Sequence, residues 1–500
     1  MNRRQFLKTG SGAGIMGAVL PAVGAPSAKT KSVALQAPAP PVLVSYAAEG
    51  HRRRLQNMAF GETNIRACLR RQLITDYIPG HCVYNLGEYP WRKPWDPDEW
   101  DERELDRLRD DGVRLIQIHE EWNDSQRLYG ADKYSPANPS GFRRFVDMVH
   151  RRGMKVIVYV STGFFQRTDP DFRDEWARQQ DLVEIYFHYA RCSPSSPSWR
   201  AYLLPRLVRI IEDFGVDGLY NDAGYIRLAG NKRPATPDEV LLPGESTTND
   251  AAFSDLAALI YAEVKRRGGL LKLHVSGASQ PQTPYKVYDY LWVGEGGRDG
   301  DKLREAVKGH EPYVSPCLDM SRARVGSEDE LYLHAIPYMQ FPVLLAGRPF
   351  TGERATIEGI QYPPEEKCFW TRHCRAIWRH HQANPTGPHS YGWWDSCPGR
   401  PDARPAHARW LKRYLPMVEE GTYAWLEIGD SDLFQRPLPE QVVASAFANQ
   451  DFYLVLANYG NKAAGVATRC NYVDAGAANM TPVASWVFEP RTLRILRRAA

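Results

Sequence analysis

Apolar residues recur at two spacings along most of this 500-residue chain. Short runs of Val, Ile, Leu and Tyr point to strands, and apolar residues three and four apart point to amphipathic helices. The runs fall at Gln72–Tyr77, Leu115–His119, Val156–Val160, Val216–Tyr220, Leu270–Val275, Tyr290–Val293, Tyr313–Cys317 and Val343–Leu345. Helical spacing is clearest at Glu102–Asp111, Gly141–Arg152, Trp199–Phe214 and Phe253–Arg267. In the third of these, Leu204, Leu207, Val208, Ile211 and Phe214 share a face, and Gly215 stands where a left-handed C-cap belongs. Pro205 inside the same helix predicts a kink. Gly112 and Gly153 end the first two helices, and a strand-like run follows each within a few residues.

Helix, glycine, strand, repeated, is the mark of βα units and a parallel sheet. Eight such strands predict a TIM-type (β/α)8 barrel. Two places strain the count: little room for a helix between Val275 and Tyr290, and a long insertion between Val160 and Val216 that includes the strand-like Leu182–Tyr186. Near residue 420 the helices stop. Tyr423–Ile428, Val442–Phe447, Phe452–Leu456 and Trp486–Phe488 read as a small C-terminal β-sandwich. The expected organisation is a signal segment at 1–28, a lead-in at 29–69 marked by Pro38, Pro40 and Pro41, a barrel at 70–418 and a sandwich at 419–500.

With 43% hydrophobic residues the chain can bury a large core. Its net charge of +4 comes from Lys and Arg spread along the sequence, so no nucleic-acid footprint shows. The 14 Trp and 26 Tyr suit a cleft that stacks aromatic faces on sugar rings. Asn2-Arg3-Arg4-Gln5-Phe6-Leu7-Lys8 is a twin-arginine pattern, with a weakly apolar stretch from Gly10 to Val23 and small residues that allow cleavage after Ala28. That stretch is too short and glycine-rich for a stable membrane span. The expectation is export by the twin-arginine route to the periplasm or beyond, without membrane insertion after cleavage. The eight cysteines show no CxxC pair, and their pairing and the oligomeric state are not legible.

Barrel chemistry sits at strand C-termini. Asp76 falls within the first run; His119, Glu120, Glu121 and Trp122 follow the second; Ser161 and Thr162 the third; Asn221 and Asp222 the fourth. His274 ends the fifth, Glu295 follows the sixth between glycines, Asp319 follows the seventh and Arg348 the eighth. Glycoside hydrolysis needs an ionised carboxylate beneath the anomeric carbon and a protonated one facing the leaving oxygen. Asp222 as nucleophile and Glu295 as acid/base would satisfy this. His119, Glu120, Trp122, Asn221, His274, Asp76, Arg348 and Asp319 would contact the substrate. Of the adjoining Glu120 and Glu121, one is expected to face the mouth and the other solvent or a salt bridge, and either is next in line as the acid.

The motif Val216-Asp217-Gly218-Leu219-Tyr220-Asn221-Asp222, an acid after the sixth strand and a C-terminal β-sandwich together resemble TIM-barrel glycoside hydrolases of the α-galactosidase and α-glucosidase kind. The resemblance implies a fourth-strand nucleophile, here Asp222, and a sixth-strand acid/base, where this chain has Glu295 in place of the usual Asp. Asn221 also departs from the Lys or Leu common before that Asp. Amylase-like barrels share the fourth-strand Asp but carry their acid as a fifth-strand Glu, where His274 stands. Two rivals stay open: a non-catalytic carbohydrate-binding barrel, and a metal-dependent hydrolase using His119, Glu120, Asp222 and His274. Cys368, His373, Cys374, His380 and His381 match no familiar metal spacing, and Trp393-Trp394-Asp395 suits a cleft lining or a packed loop. Neither a cofactor nor a metal is expected.

Overall fold

The chain from Ala48 onward enters as helix α1 (Ala48–Asn64) and runs directly into strand β1 (Ile65–Ile74). A computed structural model describes residues 48–86, 95–125, 127, 129–167, 169–183, 189–223, 249–274, 281, 283, 286–293, 299–310, 313–316, 327–348, 404–476 and 481–499. β2 (His81–Asn85), α2 (Glu99–Asp111), β3 (Leu115–Ile118), α3 (Pro139–His150) and β4 (Lys155–Ser161) follow. Then come three short strands, β5 (Phe164–Gln166), β6 (Ala177–Val183) and β7 (Tyr189–Cys192), which form their own antiparallel sheet. Alternation resumes with α4 (Pro197–Phe214), β8 (Gly218–Asp222), α5 (Asn249–Arg266), β9 (Leu270–His274), β10 (Tyr290–Val293), α6 (Gly300–Val307), β11 (Val314–Pro316), α7 (Asp329–Ala335) and β12 (Leu344–Gly347). Helix α8 (Arg404–Val418) leads to β13 (Tyr423–Ser431), β14 (Val442–Ala448), β15 (Phe452–Asn458), β16 (Ala464–Asp474), β17 (Val483–Phe488) and β18 (Thr492–Arg498).

The helices begin and end where their sequences say. Asp98 caps α2 by accepting from Trp100 N at 2.8 Å, while Asp101 accepts from Asp98 N at 3.0 Å, a reciprocal box worth about 1 kcal/mol. Asn138 does the same for α3, accepting from Gly141 N at 3.0 Å, with Pro139 at the first helical position. Gly215 closes α4 in the left-handed region at φ 69°, as its sequence predicts. Pro205 does not end α4, which runs through it to Phe214.

β2, β3, β4, β8, β9, β10, β11 and β12 make one eight-stranded sheet in the order β11-β10-β9-β8-β4-β3-β2-β12, with every recorded pairing parallel. Because the last strand pairs with the first, Leu344 opposite Cys82, the sheet curls back on itself as a TIM-type barrel does. Its strands are buried on both faces, which is why they read as continuous apolar runs. Between β8 and β9 the backbones approach so closely that a Cβ at Gly218 would lie 1.9 Å from the Leu270 carbonyl oxygen.

One expected strand is elsewhere. Gln72–Tyr77 is not the first barrel strand: residues up to Ile74 belong to β1, which pairs antiparallel with β13 from Ile65 opposite Ser431 to Ile74 opposite Tyr423. Leu69 and Leu73 point outward, 64% and 60% exposed, the alternation of an edge strand rather than of a strand buried on both faces. The barrel opens instead with His81–Asn85, whose polar ends hide a fully buried strand.

The C-terminal strands form one seven-stranded antiparallel sheet, β1-β13-β14-β15-β18-β16-β17. The central strand β15 alternates between two cores. Phe452, Leu454 and Leu456 of β15 face one hydrophobic cluster, while Tyr453, Val455 and Ala457 join the cluster of the barrel. Helix α1 packs on the same sheet, Phe60 edge-on to Phe452 at 4.9 Å and Arg54 Nε donating to Asn449 Oδ1 at 2.8 Å. Residues from Ala48 to Ile74 are thus an integral part of the β layer, not a lead-in.

Candidate active site

The C-terminal ends of four adjacent strands converge on Asp222. β8 ends with it, and its register places Ser161 of β4 on one side and His274 of β9 on the other. Tyr159, two residues inside β4, donates its hydroxyl to Asp222 Oδ2 at 2.9 Å. His274 Nδ1 lies 3.3 Å from Asp222 Oδ1. Burial pushes the carboxyl's pKa up, but His274, Tyr159 and the nearby His119 outweigh it and hold the group below its ordinary value. Asp222 is therefore ionised at neutral pH, and its side chain keeps 23% of its surface open, enough for a ligand atom to reach it.

Glu120 sits differently. It follows β3 as the first residue of a single 3-10 turn, Glu120–Trp122, closed by Asn123 N donating to the Glu120 carbonyl at 3.2 Å. Burial drives its pKa up from 4.5 to about 7; the Tyr159 hydrogen bond and Lys133 pull it down, and the Asp222 charge pushes it up. Lys133 arrives from the loop before α3 and is buried, donating from Nζ to the Phe164 carbonyl oxygen, with the Tyr134 and Phe165 rings 5.9 and 5.8 Å away. Burial lowers its pKa to about 8 against the pull of Cys192, Glu120, Asp222 and Asp169. Beneath this layer His119 is buried, 3.2 Å from Gln117 Nε2 and ringed by Tyr159, Tyr220 and Trp292. Desolvation and the Lys272 charge bring its pKa down to about 3, so it is neutral. Lys272 closes the floor, its ammonium 4.6 Å from the Trp292 ring centre.

Among the expected site residues, Asp222, Glu120, His119 and His274 are gathered here. Others are placed apart. Asn221 is buried, its Oδ1 accepting from the Thr162 hydroxyl at 2.8 Å, so it braces β8 against β4. Trp122 is buried too, stacked on Phe142 and donating from Nε1 to the Tyr159 carbonyl at 2.8 Å; it is packing, not a sugar platform. Arg348 turns to α2, pairing with the buried Asp101 and with Asp98 at 3.2 Å. Asp76 lies before β2 and accepts from the hydroxyl of Tyr313, which precedes β11, so it belongs to the opposite end of the barrel. Glu121 does not reach solvent but is buried. Ser161 is likewise buried. Glu295, Asp319, the Cys368–His381 cluster, Trp393-Trp394-Asp395 and the signal segment lie outside the described residues.

Sequence reading missed Tyr159, Lys133 and Lys272. Tyr159 had a signal: a hydroxyl two residues from the end of an otherwise aliphatic strand, pointing the same way as the strand-final residue. Lys133 had none, since it reaches the site from a loop. Among the described residues no three His, Cys, Asp or Glu side chains come together as metal ligands, and no helix is long and apolar enough to cross a membrane.

No protein family and no curated protein matches the chain. Solved structures do. The trehalulose synthase MutB of Pseudomonas mesoacidophila MX-45 aligns over 84% of this chain and 99% of its own at 13% identity and a TM-score of 0.50. An inactive double mutant of MutB in complex with isomaltulose aligns over the same shares at 12% identity and a TM-score of 0.50. At that identity the likeness is one of fold, a barrel with a C-terminal β domain. Neither of these structures is an α-galactosidase or α-glucosidase, so they do not carry the finer family likeness read from the fourth strand.

Proposed function

We propose that this chain is a glycosidase, acting on an oligosaccharide or polysaccharide with retention of anomeric configuration, and exported by the twin-arginine route. The observation that supports the reading best is Asp222. It is a partly open carboxylate at the end of the fourth barrel strand, kept ionised by two donors although burial opposes ionisation. A nucleophile needs that state; a helix cap or a solvated loop residue does not need to be desolvated to get it. Asp222 attacks the anomeric carbon, His274 and Tyr159 fix its orientation, and neutral His119 supports Tyr159 from below. The reaction also needs a carboxyl that holds a proton. Glu295 is nominated for that role by its place after the sixth strand, and Glu120 by its raised pKa. The barrel likeness to trehalulose synthase, whose complex holds isomaltulose, fits a saccharide substrate but rests on fold alone. The twin-arginine pattern at Arg3-Arg4 supports export, and replacing both arginines should leave the precursor uncleaved in the cytoplasm.

The test is hydrolysis of a panel of aryl α- and β-glycosides by the wild type and by Asp222→Asn. Cleavage of at least one glycoside by the wild type, abolished in the variant, supports the reading. A metal-stoichiometric protein whose activity survives Asp222→Asn would point to a metal hydrolase instead.

A further inference from the structure

We infer a second binding site, between helix α8 and the turn after β16, for an anionic unit of a saccharide chain, one that bears a carboxylate or a sulfate. The choice of a saccharide rests on the glycosidase reading; the choice of an anion does not. A cavity of about 480 Å³ opens there. Its charged lining is Arg409, Lys412 and Arg413 of α8, and the rest is small or apolar, Ala475 and Gly476 included. No acidic side chain lines it, and no residue of the Asp222 site does.

The charges come first. Arg409, Lys412 and Arg413 stand at i, i+3 and i+4, so they share one face of α8 and repel one another. Two of them have an acid beside them: Arg409 donates to Asp329 Oδ1 at 2.5 Å, and Lys412 Nζ lies 2.8 Å from Asp111 Oδ1. Both keep further N–H groups to give. Arg413 has no such acid. Its guanidinium lies 5.0 Å from the Trp410 ring centre, and among the described residues it makes no hydrogen bond and no ion pair. Asp474, at the end of β16, is engaged elsewhere, Oδ1 accepting from Gly476 N at 2.9 Å and Oδ2 pairing with Arg494 at 3.3 Å. The missing acceptor is left for a ligand to supply.

The Arg413 fork is also held in place. A Cβ at Gly476 would lie 2.2 Å from Arg413 Nε and 2.8 Å from Cζ, so the guanidinium rests against a backbone that only glycine leaves open. That turn is pinned in its own right, Ala475 N donating to the Ile495 carbonyl at 2.8 Å. A guanidinium so placed offers parallel N–H donors that match a carboxylate or a sulfate. Size then separates a saccharide from a free ion. The cavity falls in the range of small-molecule sites, and a lone ion would fill little of it. A sugar ring can lie against the apolar walls at Pro405 and Ala475 with its charged group at Arg413.

Titration calorimetry on the full chain carrying Asp222→Asn tests this without turnover of the probe. The probes are a galacturonate trisaccharide, a sulfated galactose trisaccharide, the uncharged galactose trisaccharide and inorganic sulfate. One charged trisaccharide or both should bind, more weakly as salt rises, and which of them binds names the anion. The uncharged trisaccharide and inorganic sulfate should not. Adding Arg413→Gln should raise Kd roughly 10-fold, and Arg413→Lys should recover only part of that loss. Gly476→Ala keeps every charge but displaces the fork, so it should weaken binding too, and melting curves check that each variant is folded. Absence of binding, equal binding of the uncharged trisaccharide or of inorganic sulfate, or a Kd unmoved by Arg413→Gln would overturn the site. The aryl glycoside panel decides the glycosidase reading separately: a chain that cleaves none of them yet binds a charged trisaccharide through Arg413 loses that reading and keeps this site.

Discussion

Strand β8 is flanked by two aspartates five residues apart, and they face opposite ends of the barrel. Asp217, just before the strand, accepts from His150 Nε2 and from Val156 N, each at 2.8 Å, with Lys155 Nζ 3.7 Å away. Asp222, at the strand's last position, is met by one hydroxyl and one imidazole, and its charge raises the pKa of a second carboxyl, Glu120. Both pKa values are lowered against burial, Asp217 by His150 and Val156 and Asp222 by His274 and Tyr159. A lowered pKa therefore does not mark the catalytic group. What separates the two is the neighbour: Asp217 faces only donors and cations, so its ionisation is spent on joining β4, α3 and β8. Asp222 faces another acid whose pKa moves the other way, to about 7, and such divergence is what acid/base chemistry uses.

The largest expected effect breaks this contrast outright. Asp222→Asn should lower turnover on the order of 10⁴-fold, with thermal unfolding close to wild type, whereas Asp217→Asn should leave turnover unchanged. Kinetics and melting curves on the same two preparations check both halves. Next comes the pH profile of kcat/KM. Activity requires Asp222 ionised and the acid protonated, so it should fall at low pH through a value below that of an ordinary aspartate. It should fall again as pH rises through about 7, where the Glu120 carboxyl loses its proton.

Smaller, and purely structural, is the cost of Asp217→Asn: about 1–3 kcal/mol, since a buried backbone donor and an imidazole lose a charged acceptor. Chemical denaturation would read it. The pH dependence of that cost sharpens the comparison further. His150 has its pKa raised by Asp217, so its contribution is complete below 6.5 and fades as pH climbs through the raised value. Asp217 has its pKa lowered, so its contribution is complete above 3.8 and fades as pH falls through the lowered value. The stability difference between wild type and Asp217→Asn should accordingly be greatest between pH 3.8 and 6.5 and shrink on either side.

The barrel was legible because burial on both faces leaves a mark that needs no partner to be known: an apolar run after a helix closed by glycine, as at Gly215 and β8. The first strand was not. Gln72–Ile74 and His81–Asn85 are both short mixed runs, and what distinguishes them is the partner, β13 for one and β3 for the other. Local composition carries no record of that choice beyond the outward Leu69 and Leu73. In the site, Asp222, Glu120, His119 and His274 could be read because a position at a strand's C-terminal end suffices to place them. Arg348 stood at an equally promising position, yet a buried acid one helix away, Asp101, claims it. Trp122 and Asn221 were read outward but turn to the backbone of β4 and to Thr162, and no periodicity predicts a single turn's direction.

The account's central claim is that Asp222 bonds to the anomeric carbon, and covalent trapping tests it most directly. A fluorosugar with an activated leaving group, built on the glycone that the panel shows to be cleaved, should slow release of the intermediate more than its formation. Intact-mass spectrometry should then show one added glycosyl residue per chain, and peptide mapping should place it on the peptide containing Asp222. A label on a different carboxylate, or steady turnover with no covalent adduct and an inverted product, would contradict the claim.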